Sequence, residues 1–205
     1  MNDKTPPVDN LTSYLAIDND GKKACGLYNY ASVNGMLQYL KGHTRPDILF
    51  AVSQTSRCDH SPERSHKIAL EQIGRYLKGR IDKGIILKLD PAKNELKMDI
   101  YVDAAFASGW GTKLGTNPDS VKSRTGYVIL IAGCPVVWCS KLQECIACST
   151  MESEYTALSM ALCAAIPLLE LMRSICKALL YQNPQKLTFR ATIHKDNQGA
   201  LKLTK

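Results

Sequence analysis

The 205-residue sequence lacks an unbroken apolar run of about 20 residues, the length that a membrane-spanning helix needs. Pro135 interrupts the apolar stretch 127–139, and Pro167 and Glu170 interrupt the stretch 157–172. The N-terminal residues also lack a charged segment followed by an apolar one, so they do not predict a secretory signal. We therefore expect no membrane partner and an intracellular location, cytoplasmic or nuclear.

Acidic residues are fewer than basic ones, 19 Asp and Glu against 26 Lys and Arg, which gives a formal net charge of +7. A basic excess of this size suits a polyanionic partner such as nucleic acid. Hydrophobic residues make up 45% of the chain and charged residues 22%. This composition predicts a folded globular protein and excludes a disordered or collagen-like chain.

A second Cys-x-x-Cys pair is also missing. Cys145 and Cys148 form one such pair, without a flanking histidine, and a single pair is a weak zinc signal. Several of the eight cysteines lie in apolar runs. Buried, reduced thiols are therefore the simpler interpretation.

The spacing of apolar residues divides the chain into three regions. Residues 1–27 are polar and turn-rich and predict a tail or linker, whereas residues 28–80 have helical spacing. Within the second region, Thr44-x-x-Asp47 resembles a capping box, Ser61-Pro62-Glu63 marks another helix start, and Gly79 marks a helix end. The period then changes to two, which predicts a domain boundary near residue 80.

Residues 81–205 predict an α/β domain. The predicted elements are strands at 84–89 and 96–103, a hairpin of 127–132 and 135–139 turning at Gly133-Cys134, a helix at 151–180 kinked at Pro167, a strand at 187–193, and a helix opened by Asp196-Asn197.

The predicted helix after Pro62 carries basic residues on the side opposite its apolar positions. They are Arg64, Lys67, Arg75 and Lys78. Such a face is either a solvated surface or a phosphate-contacting one, and the sequence leaves both interpretations open.

Three acids lie at the edges of separate predicted elements. Asp103 ends an alternating strand, Glu154 lies in the first turns of the long helix, and Asp196 follows an apolar strand. Carboxylates from separate elements suit Mg²⁺, and two ions about 4 Å apart can activate water and stabilise a leaving phosphate oxygen. The pattern therefore predicts a divalent-metal site.

Each acid also has a simpler interpretation. Asp103 could end a strand at a turn, and Asp196 could cap a helix. Ser149-x-x-Glu152 fits a capping box, which would occupy Glu152 locally. Glu154 shares a flank with the apolar stripe of its helix, where a carboxylate is costly unless it is coordinated or charge-paired. Glu154 is therefore the preferred ligand and Glu152 the reserve.

Eight short blocks, taken together in order and spacing, resemble one family. They are Gly35–Leu40; Thr44–Ile48 with Ala51–Ser53; Pro62, His66 and Arg75–Gly79; Tyr101–Ala104; Ser123–Tyr127; Trp138–Gln143; Ser149–Tyr155; and Asp196–Ala200. The chain resembles the C-terminal part of a Ty1/copia-type retrotransposon polyprotein, comprising the end of the reverse transcriptase and the ribonuclease H domain that follows it.

The resemblance implies a ribonuclease H-like mixed sheet with flanking helices, preceded at 28–80 by a helical segment like a polymerase thumb or connection. It implies that Asp103, Glu154 and Asp196 are catalytic and hold two Mg²⁺ or Mn²⁺ ions. The implied reaction hydrolyses the RNA strand of an RNA–DNA hybrid and leaves a 3′-hydroxyl and a 5′-phosphate. Arg124 and Lys141 would contact phosphates, and the rest of the polyprotein would be a partner.

The sequence departs from this family at three points. Ala105 and Phe106 stand where the family has an acid and a Trp, and Lys205 ends the chain before the family's fourth acid and nearby His. No Asp-Asp dipeptide is present, so we expect no polymerase activity. The resemblance thus implies an incomplete nuclease domain. A catalytically impaired nucleic-acid-binding or structural remnant of a reverse transcriptase stays the alternative.

Overall fold

A computed structural model describes residues 28–88, 96–110, 118–180 and 189–196. The predicted tail, Leu187 and the predicted helix after Asp196 lie outside this part of the chain. The described residues form a mixed α/β architecture, which confirms the predicted class. Its helices and strands are α1 (Tyr30–His43), α2 (Leu49–Thr55), α3 (Arg64–Lys78), β1 (Leu96–Ala105), β2 (Arg124–Ile131), β3 (Cys134–Leu142), α4 (Thr150–Leu180) and β4 (Phe189–His194).

The chain divides into two compact units. Of the described residues, the first unit comprises 28–85, 109–110 and 118–120, and the second comprises 86–88, 96–108, 121–180 and 189–196. Helices α1 to α3 belong to the first unit, whereas α4 and the sheet belong to the second.

Helices α1 to α3 enclose a core of their own. Leu70, Ile73 and Tyr76 lie at helical spacing on α3 and pack with Ile48 and Val52, and all five are buried. Burial of such apolar side chains contributes about 1.5–3 kcal/mol each. The helical spacing in this region is therefore a true signal of packing.

A buried polar network lies within this helical unit. The Asn34 amide donates to Asp59 Oδ1 at 2.7 Å and accepts from Thr55 Oγ1 at 2.8 Å. The Tyr30 hydroxyl donates to the Thr55 carbonyl at 2.9 Å. These hydrogen bonds offset the cost of burying polar groups between the helices.

The predicted capping box at Thr44-x-x-Asp47 is wrong. The Asp47 carboxylate instead accepts from the Arg45 guanidinium at 2.8 and 3.0 Å and from the Tyr76 hydroxyl at 3.0 Å. A charge-assisted bidentate pair is stronger than a neutral cap, which explains why the guanidinium takes this carboxylate. The predicted helix end at Gly79 is confirmed, because Gly79 is the C-terminal cap of α3.

The sheet has the strand order β3-β2-β1-β4. β1 runs antiparallel to β2 and parallel to β4, with α4 as the connection between β3 and β4. Ala132 and Gly133 form the β2–β3 turn with φ of 51° and 81°, a backbone region that glycine adopts without strain. The predicted turn at Gly133-Cys134 is therefore displaced by one residue, since Cys134 already pairs with Ile131.

The predicted strand at 84–89 is wrong, because residues 84–88 have no regular secondary structure and Leu89 lies outside the described residues. Ile86 and Leu87 are 82% and 70% exposed, so this apolar run does not face a core. A short apolar run predicts a strand only where a neighbouring strand and a buried face are available.

Helix α4 packs on one face of the sheet through small residues. Ala157, Ala161 and Ala165 are buried against Met98 and Ile129, among other residues of the second unit's core. Their small side chains let the helix backbone approach the strands closely. The predicted long helix is confirmed, and it continues through Pro167.

By length and mean hydropathy, the segment Thr150–Leu179 is also long and apolar enough to cross a membrane. The interruptions in its sequence led us to expect otherwise. Burial of its alanine stripe nevertheless gives the helix a packing partner within its own unit.

Seven cysteines lie in the described residues, and none of them forms a disulfide bond there. Cys58 and Cys176 are buried, as the sequence predicts, whereas Cys145, Cys148 and Cys163 are exposed and Cys134 and Cys139 are partly buried. The apolar context of a cysteine in sequence therefore does not determine its burial here.

Candidate metal centre

The three acids chosen from the sequence meet in the second unit. Asp103 lies near the end of β1, Asp196 follows the end of β4, and Glu154 lies at the start of α4. Because β1 and β4 are parallel, their ends lie at the same edge of the sheet. Each of the three residues offers one carboxylate oxygen, and these oxygens all lie within 4.8 Å of one another.

The exposure of the three acids differs. Asp103 and Asp196 are exposed, whereas Glu154 is only 7% exposed. Clustered carboxylate oxygens are the donors that Mg²⁺ and Mn²⁺ prefer, so the donor set fits such an ion. The two exposed acids face solvent, from which an ion would enter.

Glu152 takes a different role from Glu154. Its backbone N–H donates to Ser149 Oγ at 3.1 Å, and its carboxylate accepts from the Cys148 N–H at 2.7 Å. The first bond is the one that the predicted Ser149-x-x-Glu152 capping box requires, whereas the Glu152 carboxylate binds the N–H of Cys148 instead of the N–H of Ser149. The carboxylate is occupied locally in either case. Glu152 is not a member of the carboxylate cluster.

Lys195 is a member of this site that the sequence did not predict. Its side chain is 0% exposed, and its Nζ donates to the Glu154 carboxylate and, at 3.2 Å, to the Glu154 carbonyl. A buried carboxylate is stable only with a partner, and this ammonium supplies one. No sequence pattern signals this role, because the burial of Lys195 depends on the approach of Glu154 on α4.

Gln143 fixes the start of α4 against the sheet. Its side-chain amide donates to the Ser153 carbonyl at 2.8 Å and to Thr125 Oγ1 at 3.1 Å. Gln143 is 2% exposed, so these bonds are made in a dry environment. This interaction holds the residue that immediately precedes Glu154.

An open groove of about 690 Å³ adjoins the acids, and Asp103 and Asp196 are among its lining residues. Tyr101 and His194 stack in this groove with their ring centroids 4.4 Å apart and their planes 10° apart. The two residues are direct neighbours in the parallel β1–β4 register. The groove therefore combines an aromatic surface with an acidic end.

Asp99 lies on β1, as Tyr101 does, and supports this aromatic pair. His194 Nε2 lies 2.7 Å and Lys97 Nζ 2.8 Å from Asp99 Oδ1. Burial raises the pKa of Asp99, but the hydrogen bonds and positive charges of Lys97 and His194 outweigh burial and lower it. Asp99 thus stays an anion that fixes the position of the His194 ring.

The two predicted phosphate contacts near the sheet are placed differently. Arg124 is 6% exposed, and its guanidinium donates to the carbonyl and hydroxyl of Ser140 at 3.4 and 3.3 Å, across the β2–β3 pair. Lys141 is exposed and lies 3.2 Å from Glu144. Arg124 is therefore bound within the sheet, whereas Lys141 is directed to solvent.

The predicted basic face lies on α3 in the first unit. Arg64, Arg75 and Lys78 are exposed, while Lys67 is partly buried and lies 3.9 Å from Glu71. Glu71 on the same face locally reduces its positive charge.

Taken together, the second unit is an α/β domain with a three-carboxylate candidate metal centre at one edge of its sheet. No protein-family model matches the chain, and no solved structure matches it significantly. Curated proteins, however, do match most of its length.

The chain is 34% identical over 180 residues to the retrovirus-related Pol polyprotein from transposon RE1 of Arabidopsis thaliana, covering 88% of this chain and 11% of that protein. It is 33% identical over 171 residues to the polyprotein from transposon RE2 of the same plant, covering 83% and 10%. It is 39% identical over 128 residues to the polyprotein from transposon TNT 1-94 of Nicotiana tabacum, covering 62% and 9%.

The chain thus spans about a tenth of the length of these curated relatives. It is a retrotransposon-derived protein, homologous to one segment of the Pol polyproteins of copia-type transposons.

Proposed function

We propose that this chain carries a metal-dependent ribonuclease H centre on a ribonuclease H-like sheet and hydrolyses the RNA strand of RNA–DNA hybrids. The observation that carries the proposal is the convergence of Asp103, Glu154 and Asp196 from β1, α4 and the end of β4, with their oxygens within 4.8 Å. Homology to Pol polyproteins supports it, since these belong to retrotransposons.

The residues of the centre have separable roles in this proposal. Asp103 and Asp196 are exposed and would hold Mg²⁺ or Mn²⁺ at the edge of the groove. Such an ion supplies Lewis-acid charge that activates water and stabilises the developing negative charge of the phosphate. Glu154 contributes a buried negative charge, which Lys195 balances.

The proposed reaction is a hydrolysis. The oxygen of water forms a bond to phosphorus, and the bond from phosphorus to the 3′-oxygen breaks. The 3′-oxygen takes up a proton, which gives a 3′-hydroxyl and a 5′-phosphate. Selection of the hybrid would depend on backbone shape and 2′-hydroxyl contacts rather than base edges. The rest of the Pol polyprotein is the proposed protein partner.

The test is cleavage of an RNA–DNA hybrid labelled on the RNA strand, with Mg²⁺ or Mn²⁺ and with a chelator. Asp103→Asn and Asp196→Asn remove one charge each and should abolish metal-dependent cleavage. Glu152→Gln is the matched control, because Glu152 belongs to the helix cap and not to the cluster. Cleavage that persists in Asp103→Asn would assign the activity to another site or a contaminant.

A nucleic-acid-binding remnant without cleavage is the second candidate function. The exposed basic residues Arg64, Arg75 and Lys78 favour it, as does the ammonium of Lys195 on one of the three acids. Salt-dependent binding of the hybrid with no metal-dependent cleavage would support this alternative.

A further inference from the structure

Lys195 has an environment that is rare for a lysine. Its side chain is fully buried, and its ammonium donates to two oxygens of Glu154, one in the carboxylate and one in the backbone carbonyl. Lysine is almost never fully buried unless it is paired, because the desolvation of an ammonium is costly. Its position beside the acidic cluster is therefore a specific feature of this centre.

The ammonium changes what the cluster can bind. The cluster has three carboxylates, and Lys195 already donates to one oxygen of Glu154. A divalent ion on the same carboxylate would lie within a few ångströms of the ammonium, where like charges repel strongly in a region of low dielectric constant. Asp103 and Asp196 are exposed and, unlike Glu154, are not bound by Lys195.

We propose that Lys195 is a resident cation of this centre and takes the place of one divalent ion. The protein then binds one ion, held by Asp103 and Asp196, and Glu154 serves Lys195. This inference rests on the proposed function, because it assumes that the acids hold a metal. It replaces the two-ion expectation with one ion and one ammonium.

Manganese binding to the full chain tests the inference without measuring activity. Free Mn²⁺ is counted by electron paramagnetic resonance during titration of the protein. We expect one Mn²⁺ per wild-type chain. Lys195→Met removes the charge at similar length, so it should add a second ion or tighten binding about tenfold. Lys195→Arg keeps the charge and should bind Mn²⁺ as the wild type does.

The double variant Lys195→Met with Glu154→Gln separates the two partners. It replaces the buried ion pair with two neutral side chains of similar size, which folded proteins often tolerate. Because the gained binding would use Glu154, the double variant should return to the wild-type stoichiometry and affinity. Thermal unfolding of each variant confirms that it is folded before titration.

Two outcomes overturn the inference and leave the centre intact: two Mn²⁺ ions in the wild type, or Lys195→Met binding as the wild type does. A different outcome refutes the proposed function itself. If Asp103→Asn binds Mn²⁺ as tightly as the wild type, or if no variant binds Mn²⁺, the carboxylate cluster is not a metal centre.

Discussion

The side-chain amide of Gln143 donates a hydrogen bond to the Ser153 carbonyl, 2.8 Å away, and so ties the residue after β3 to the first turns of α4. Ser153 directly precedes Glu154, so this hydrogen bond fixes the helix turn that delivers Glu154 to the candidate centre. Gln143 is a positioning residue in this arrangement, since its amide binds Ser153 and Thr125 and it has no carboxylate to offer an ion.

Gln143→Met should therefore affect both folding and the centre. The substitution leaves the buried Ser153 carbonyl and Thr125 hydroxyl without this donor, which should lower the free energy of unfolding by about 1–3 kcal/mol. It should also weaken Mn²⁺ binding, because a less fixed α4 pairs Glu154 less closely with Lys195, and the released ammonium would repel an ion held by Asp103 and Asp196. Urea denaturation and Mn²⁺ titration measure the two effects. Glu144→Gln is the control, and unchanged Mn²⁺ affinity in Gln143→Met would reduce Gln143 to a structural role.

Mutations should distinguish the helix cap at the start of α4 from the carboxylate cluster. Ser149→Ala removes the hydroxyl that accepts from the Glu152 N–H and should cost about 1 kcal/mol of stability. Mn²⁺ affinity should change little in Glu152→Gln, because Glu152 is outside the cluster. Thermal unfolding and Mn²⁺ titration of both variants check this. Loss of Mn²⁺ binding in Glu152→Gln would place this reserve residue in the centre after all.

The alanine stripe of α4 should tolerate no larger side chain. Ala161 is 0% exposed between the helix and the sheet, so Ala161→Leu should force the two apart and cost about 1–3 kcal/mol. Ser159→Leu makes a comparable change on the exposed side of the same helix and should change stability by at most about 0.5 kcal/mol. Equal denaturation midpoints for the two variants would contradict the observed packing.

The sequence predicts the secondary-structure element on which each acid lies, but it does not predict that the three acids lie close together in space. Alternation along β1 places Asp103 opposite the buried face of Met98 and Ile100, and the apolar run before Asp196 predicts a strand. The two strands are parallel neighbours in the sheet. This is a property of the chain topology, which local periodicity does not encode. The spacing of Glu154 indicates only that it lies on a packed flank of its helix.

Two other features depended on tertiary partners. Lys195 looks like a surface lysine in sequence, and its burial follows only from the approach of Glu154 on α4. Asp47 looks like a capping residue, but Arg45 and Tyr76 compete for its carboxylate once the helices pack. In both cases a charged group found a partner that sequence spacing does not reveal.

The hydrogen bonds of Asp47 make the stability of the first unit depend on pH. Burial raises the pKa of Asp47, but the hydrogen bonds from Arg45 and Tyr76 and the charge of Arg45 outweigh burial and lower it. A folded-state pKa below the unfolded value of about 3.9 means that Asp47 stabilises the fold above that pH. This contribution disappears as the pH falls through the lowered folded-state pKa.

Asp47→Asn should therefore lower the free energy of unfolding at pH 7 by about 1 kcal/mol, since solvent screens a carboxylate that is 36% exposed. The difference from the wild type should be unchanged at pH 5 and should shrink below about pH 4. Urea denaturation at pH 7, 5 and 3 measures it. A difference that grows as the pH falls would contradict the assigned direction of the pKa shift.

The salt dependence of hybrid binding should show whether the basic face of α3 binds phosphates. Replacing Arg64, Arg75 and Lys78 together with Gln removes three exposed positive charges. If these residues bind phosphates, hybrid binding weakens, and the slope of log affinity against log salt falls by about one for each phosphate that is no longer neutralised. Fluorescence anisotropy at several salt concentrations measures both quantities.

Arg173→Gln with Lys177→Gln is the control for this measurement, because both residues are exposed on α4 in the second unit. A general effect of net charge would weaken binding roughly in proportion to the number of charges removed from either helix, since long-range steering depends on summed charge. Direct phosphate binding would confine the decrease in slope to the α3 variant. If the slope decreases equally for each charge removed in both variants, the α3 face is a solvated surface and does not bind phosphates directly.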